Sequence, residues 1–230
     1  MVHESPSPRA SRPRLLEAAE LGDTKGRILE AAFRRLATDG YAALSVREIA
    51  RDADVNHALI NYHFRSKDQL VIAVLDEVNE QLLARQRAMY ASPDSFAQKW
   101  AQARRFYRDD FASGFVRLQA ELWAASLSDA RLREKFLPRI QAWKKVVADG
   151  VADAVATLER CGVTLPAPFT REVISGWITE FWIGMEFSDL LGAREDRARH
   201  QAALDAVEKL LHGLDARVRK QARAVKGKKP

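Results

Sequence analysis

The stretch SVREIARDADVNHALINYHFRSK, residues 45–67, decides the fold. Ser45-Val-Arg-Glu48 has the form of a capping box, in which the serine bonds forward to the start of a helix and the glutamate reaches back. Val46, Ile49, Ala50 and Ala53 follow at helical spacing, so a short helix with one apolar face is expected. Asp54-Val55 turns the chain, Asn56 supplies a second cap, and Leu59, Ile60 and Phe64 mark the helix behind it. Two short capped helices joined by so few residues have the layout of a helix-turn-helix, whose small core a preceding helix must complete. The second helix of such a pair is short enough to lie in the major groove of DNA, while the first crosses the backbone.

Outward from this stretch, the chain reads as helix after helix. On its N-terminal side, Asp23 or Thr24 can cap a segment with Ile28, Ala31, Ala32 and Leu36 on one face, and Gly40 supplies a left-handed stop. On the other side, Ser66 caps a long helix with Leu70, Val71, Val74, Leu75, Val78 and Leu82 buried, ending at Ser92-Pro93-Asp94. Further helices are expected at about 95–110, 115–128, 131–161, 171–191 and 194–222. Gly162 and Gly192 act as stops, 163–169 forms a loop, and Pro138 is a point where a long helix could split. No alternating strand pattern competes, so the expected fold class is all-α, with about nine helices. The divisions are an arm at 1–22, a three-helix helix-turn-helix domain at 23–66, a connecting helix at 67–92, a second helical domain at 93–216, to which the resemblance described below assigns ligand binding and dimerisation, and a basic tail at 217–230.

Charge is distributed unevenly. The chain has 37 Lys and Arg against 31 Asp and Glu, a formal +6, but Arg217, Arg219, Lys220, Arg223, Lys226, Lys228 and Lys229 stand in the tail without one acidic residue. The body is therefore about neutral, and a nucleic-acid partner must be argued from a local motif. A single cysteine, Cys161, excludes an intramolecular disulfide and a Cys-built zinc site and fits a reducing cytoplasm. The N-terminal stretch has no apolar run to suggest a signal peptide, and the apolar window 173–191 holds Glu180, Glu186 and Asp189, too many charges for a free-standing membrane span. A soluble cytoplasmic protein is expected. No metal-spaced His/Cys set, phosphate-cradling glycine loop or nucleophile elbow is present, so neither an enzyme nor a cofactor nor a bound metal is expected.

The chemistry-bearing residues lie in the helix pair. Arg47 and Arg51 share one face of the first helix, and Glu48 with Asp52 the adjacent one. In the second helix Ile60 and Phe64 join Val55 on the core side, which leaves His57, Ala58 and Asn61 outward. An asparagine amide can pair bidentately with adenine, and His57 can donate to guanine or to phosphate. Tyr62, His63 and Lys67 form a cluster suited to phosphate oxygens, although His57 and His63 could equally be surface histidines.

Residues 24–70, TKGRILEAAFRRLATDGYAALSVREIARDADVNHALINYHFRSKDQL, resemble the DNA-binding domain of the TetR family of transcriptional regulators. The matching features are Ile28-Leu29 with Ala31-Ala32, Gly40-Tyr41, Ser45 to Ala50, Val55, and Tyr62-His63-Phe64 followed by Lys67 and Leu70. The resemblance implies phosphate contacts at Ser45, Tyr62, His63 and Lys67, and base contacts at Arg47, His57, Ala58 and Asn61. Asp54 stands where Gly is common in the turn, Asn56 where Ser or Thr caps, and Asn61 where many relatives have Tyr. The last departure bears on which operator is read.

The resemblance further implies a cavity for a small effector among the later helices, a homodimer through the last two long helices, and double-stranded DNA with a palindromic operator as partner. Trp100, Phe111, Trp123, Trp143, Trp177, Glu180 and Phe181 are the candidate effector residues, with core filling as the alternative for each aromatic. Glu180 could orient a cationic or hydroxylated ligand, pair with an arginine across the dimer or face water. The expected function is a repressor released from its operator by a small molecule. An activator of the same fold and a nonspecific architectural DNA binder are the alternatives. The basic tail lies far from the operator in the resembling architecture, so it is expected to be a solvated extension.

Overall fold

The structure, a computed structural model, describes residues 24–226. Asp23, the arm at 1–22 and residues 227–230 lie outside the described residues. Among the described residues the chain forms nine helices and no strand: α1 (Thr24–Ala43), α2 (Val46–Asp52), α3 (His57–Phe64), α4 (Lys67–Ala91), α5 (Phe96–Ser113), α6 (Phe115–Ser128), α7 (Ala130–Arg160), α8 (Arg171–Leu190) and α9 (Arg194–Lys226). Two compact units are present. One comprises the chain up to Val78 with Asp109–Glu121, the other Asn79–Arg108 with the chain from Leu122 onward.

In the first unit the apolar stripes converge. Ile28, Phe33 and Leu36 of α1, Ile49 of α2, Ile60 and Phe64 of α3, and Leu70, Val71 and Val74 of α4 are all buried. Leu118 of α6 belongs to the same unit and is fully buried. The turn between α2 and α3 closes as a Schellman motif, with the Val55 N–H donating to Ala50 O at 3.0 Å and Asp54 at φ 52° in the left-handed position. Asn56 Oδ1 then accepts from the Ala58 N–H at 2.8 Å, the cap that its side chain promises. The Ser66 hydroxyl accepts from the Gln69 N–H at 3.2 Å and starts α4.

Two local expectations are corrected. Ser45 is extended and heads α2, but its side chain makes no cap hydrogen bond, and Glu48 does not reach back. Arg35 on α1 draws that carboxylate instead, at 3.5 Å, because a guanidinium offers charge as well as donors. Gly40 does break α1, but at φ 82°, ψ 172°, outside the left-handed helical well, and one more helical turn follows to Ala43. A side chain here would be strained by the positive φ, and its Cβ, 2.8 Å from Glu121 Oε1, would also oblige that glutamate side chain to move.

In the second unit, α8 packs against both α7 and α9, and side chains of α9 reach α5. Asp215 of α9 is buried and accepts from the Phe96 and Ala97 N–H groups at 2.9 and 3.1 Å, capping α5 from far along the chain. The Trp100 indole donates to Leu204 O at 3.1 Å, and Arg104 pairs with Asp205 at 2.9 Å and with Glu208. Pro138 does not split α7, which runs unbroken through it. The missing hydrogen bond costs about 3 kcal/mol, and burial of Leu132, Phe136 and Ile140 on the same side offsets it. Gly162 and Gly192, at φ 74° and 73°, end α7 and α8 as expected, with Val163 and Ala193 N–H groups returning to Leu158 and Ser188 carbonyls.

Candidate nucleic-acid interface

The outer surface of α2 and α3 is built by what the core removes. Ile60 and Phe64 point inward, so the opposite side of α3 carries His57, Ala58, Asn61, Tyr62 and His63, all exposed. Asn61 Nδ2 lies 3.5 Å from His57 Nδ1, one helical turn away, placing an amide and an imidazole side by side at the start of the helix. Tyr62 is 79% exposed, with its ring edge-on to His63 at 5.3 Å between centroids.

Charge is arranged so that acids are consumed behind this face. Arg35 bonds Asp52 at 2.6 Å and Asp39 at 3.1 Å, besides its contact with Glu48. The hydrogen bond from Arg35 holds the Asp52 carboxyl below its usual range, against the opposing effect of burial. Arg51 leans on Glu48 and Asp52 at 3.8 and 3.6 Å, so only part of its charge projects. Arg47, exposed on α2, has no ion pair among the described residues. The cationic face is therefore narrower than the spacing of Arg47 and Arg51 suggests, and Arg47 is its free centre.

The flanks are also prepared. Lys67 sits with its ammonium 4.8 Å from the Tyr41 ring centroid, and Tyr41 donates to Asp68 Oδ1 at 2.8 Å. The ring fixes the lysine without neutralising it. Ser45, relieved of its capping role, keeps its hydroxyl available near the start of α2. Arg35 and Arg65 were not singled out from sequence, and Tyr41 only as a matching feature of the resemblance, without a role. Arg35 and Tyr41 act by holding other side chains, which spacing along the chain does not reveal, and Arg65 takes a positive φ of 58° at the end of α3.

The expected effector residues are divided between the two units. Phe111 belongs to the first unit, and the other six to the second. Trp123 packs edge-on against Phe136 and Phe187, at 6.1 and 6.0 Å. Trp100 meets Trp182 at 5.7 Å, and Trp182 meets Tyr107 at 5.8 Å. Tyr107 donates to Asp189 at 2.5 Å; burial and that carboxylate push its phenol far above the usual range. Trp143 is half-buried on α7. Trp177, Glu180 and Phe181 instead lie on the exposed side of α8, where Glu180 pairs with Lys144, Trp177 with Phe169 and Phe181 with His200. Among the described residues no group of three or more His, Cys, Asp or Glu side chains is placed to hold a metal ion, and no helix is long and apolar enough to cross a membrane.

An all-helical chain whose first unit presents a capped helix pair with an exposed polar reading face is a helix-turn-helix protein. Residues 28–74 match the family model of bacterial regulatory proteins, tetR family. The HTH-type transcriptional repressor Rv3405c of Mycobacterium tuberculosis is 51% identical over 55 residues, covering 24% of this chain and 29% of that protein. The HTH-type transcriptional regulator CymR of Pseudomonas putida is 28% identical over 143 residues, 60% of this chain and 68% of its own. The match to the mycobacterial relative thus spans under a third of that protein's length. Over a larger span, the crystal structure of the transcriptional regulator FadR from Bacillus subtilis in complex with stearoyl-CoA shares the fold, with a TM-score of 0.63 at 18% identity, over 80% of this chain and 96% of the other. The likeness to bacterial regulatory proteins of the tetR family thus rests on residues 28–74, the helix-turn-helix unit, and over most of the chain the solved structure shares the fold.

Proposed function

We propose that the protein is a homodimeric, cytoplasmic repressor that reads a palindromic operator with α3 and leaves it when a small molecule binds the second unit. The observation that carries the reading is the exposed set His57, Ala58 and Asn61 on a short helix, flanked by Arg47, Tyr62, His63 and Lys67. Base edges would be read by Arg47, His57, Ala58 and Asn61, and phosphates held by Ser45, Tyr62, His63 and Lys67. The repressor sense follows the printed description of the mycobacterial relative.

Dimerisation is supported by an inversion on α8. Its buried side includes Ser175 and Thr179, whose hydroxyls are spent on the Glu172 and Gly176 carbonyls, while Val173, Trp177 and Phe181 face outward. Gly176 and Gly184 have open space where a Cβ would stand. On α9, Ala202, Ala206, Leu210 and Gly213 are exposed along one side. Trp177 is 63% exposed despite its contact with Phe169, and a second copy would bury it and allow close helix approach at the glycines. Two copies could then present α3 helices about 34 to 36 Å apart, one turn of the groove.

For the effector, the aromatic clusters around Trp100, Trp182 and Tyr107, and around Trp123, Phe136 and Phe187, favour an apolar or aromatic-contacting molecule. The structural relative named above holds an acyl-CoA, which agrees with a ligand-responsive second unit. Such a ligand lowers operator affinity only through unequal affinity for two states, here differing in the separation of the reading helices. Selection of duplexes from a random pool tests the whole proposal. A two-fold symmetric site is the expected product, while recovery of unrelated sequences with only salt-dependent affinity would make the protein an architectural binder.

A further inference from the structure

The last stretch of α9 differs from the rest of that helix. From Arg194 to Asp215 acids and bases are mixed, and most of them pair: Arg104 with Asp205 and Glu208, Arg197 with Asp189, Arg199 with Asp196. Asp215 is the last acidic residue of the sequence, and it is buried against the start of α5. Beyond it the helix continues to Lys226 with Arg217, Arg219, Lys220 and Arg223 all exposed. None of these four has a carboxylate partner among the described residues. At 100° per residue, Arg219, Lys220 and Arg223 fall within an arc of roughly 100°, so three unpaired cations lie along one side of the helix. Lys226, Lys228 and Lys229 follow in the sequence.

Unpaired like charges a turn apart repel one another and weaken the helix, so this single-sign face is complementary to a polyanion, which would relieve that repulsion. We infer that the end of α9 is a second, sequence-independent DNA-binding element, which docks on the phosphate backbone of a duplex separately from the helix-turn-helix. Helix-borne arginines and lysines at this spacing release counterions from DNA without reading bases. The element would raise the protein's affinity for any DNA and so keep the unliganded and the released protein on the chromosome, or join a second duplex to the one that α3 reads.

The test uses the full chain with Arg217→Gln, Arg219→Gln, Lys220→Gln and Arg223→Gln combined, exposed positions at which glutamine preserves helix propensity. Binding to a fluorescent duplex of random sequence is measured between about 50 and 200 mM salt. The inference predicts that the slope of log affinity against log salt falls by about 3 and that low-salt affinity drops roughly 10-fold or more. The same difference should persist in an Arg47→Ala, Lys67→Ala background, which separates this element from the reading head. An unchanged slope, or a difference that vanishes in that background, overturns the inference. So does a tail whose neutralisation abolishes binding to vesicles of phosphatidylcholine with phosphatidylserine while leaving the DNA slope intact.

Discussion

Arg35 shows how a single residue outside the reading face sets its electrostatics. Its guanidinium collects Asp39, Glu48 and Asp52, which ties α1 to α2 and removes acidic charge from the neighbourhood of Arg47. Asp52 is held below its ordinary value of 3.8 in the folded protein, so this pairing stabilises the fold at neutral pH and is lost as pH falls through the lowered value. Arg35→Gln should therefore cost about 1 kcal/mol near pH 7, since the group is partly exposed and partly screened. Its deficit against the parent should shrink in denaturant titrations repeated at progressively more acid pH. A deficit independent of pH would mean that Arg35 acts by packing and not through its carboxylates. The sequence showed the acids and the arginines of α2 but not this hub, because Arg35 lies on another helix and its partners are set by tertiary packing.

At the scale of elements, the helix ends were legible because most carry their own punctuation. Asn56, Ser66, Gly162 and Gly192 do what their chemistry prescribes. Local rules failed where a longer-range interaction outbid them: Glu48 left Ser45 for Arg35, and the burial around Pro138 carried α7 through a residue that ends isolated helices. Asp54 offers a direct check on the turn. Its φ of 52° strains any residue with a Cβ, so Asp54→Gly should raise stability by about 0.5 to 1 kcal/mol, read as a higher melting temperature. A lower melting temperature would show that the aspartate side chain does something in the turn beyond tolerating it. The placement of the candidate effector residues was less legible for a related reason. α8 is apolar nearly all round, and periodicity alone does not say which side meets the core; the structure buries Thr179, Ile183 and Met185 and leaves Trp177 and Phe181 outside.

That exposed side of α8 governs the behaviour of the whole molecule in the proposed function. Trp177→Glu would place a charge in the centre of a two-helix interface while disturbing little within one chain, since the side chain is largely in water there. Sedimentation should show the parent as a dimer and the variant shifted to monomer by at least 10-fold in dissociation constant, with helix content unchanged. Operator affinity should fall with it, because two reading helices lose their fixed separation. A variant that stays dimeric would move the interface elsewhere. The division of the chain by packing, with Asp109–Glu121 joined to the helix-turn-helix unit, also means that α6 contributes residues to that unit as well as to the second one.

The central claim is that α3 reads bases and that Asn61 is one of its readers. Selecting DNA from one random pool with the parent and with Asn61→Ala, side by side, tests it most directly. The account predicts a two-fold symmetric site for the parent and, for the variant, the same site with preference relaxed at one base step in each half, at a cost of about 1 to 3 kcal/mol for the original base. Identical preferences from both proteins, with affinity merely weakened across all sequences, would contradict it and make Asn61 a backbone contact.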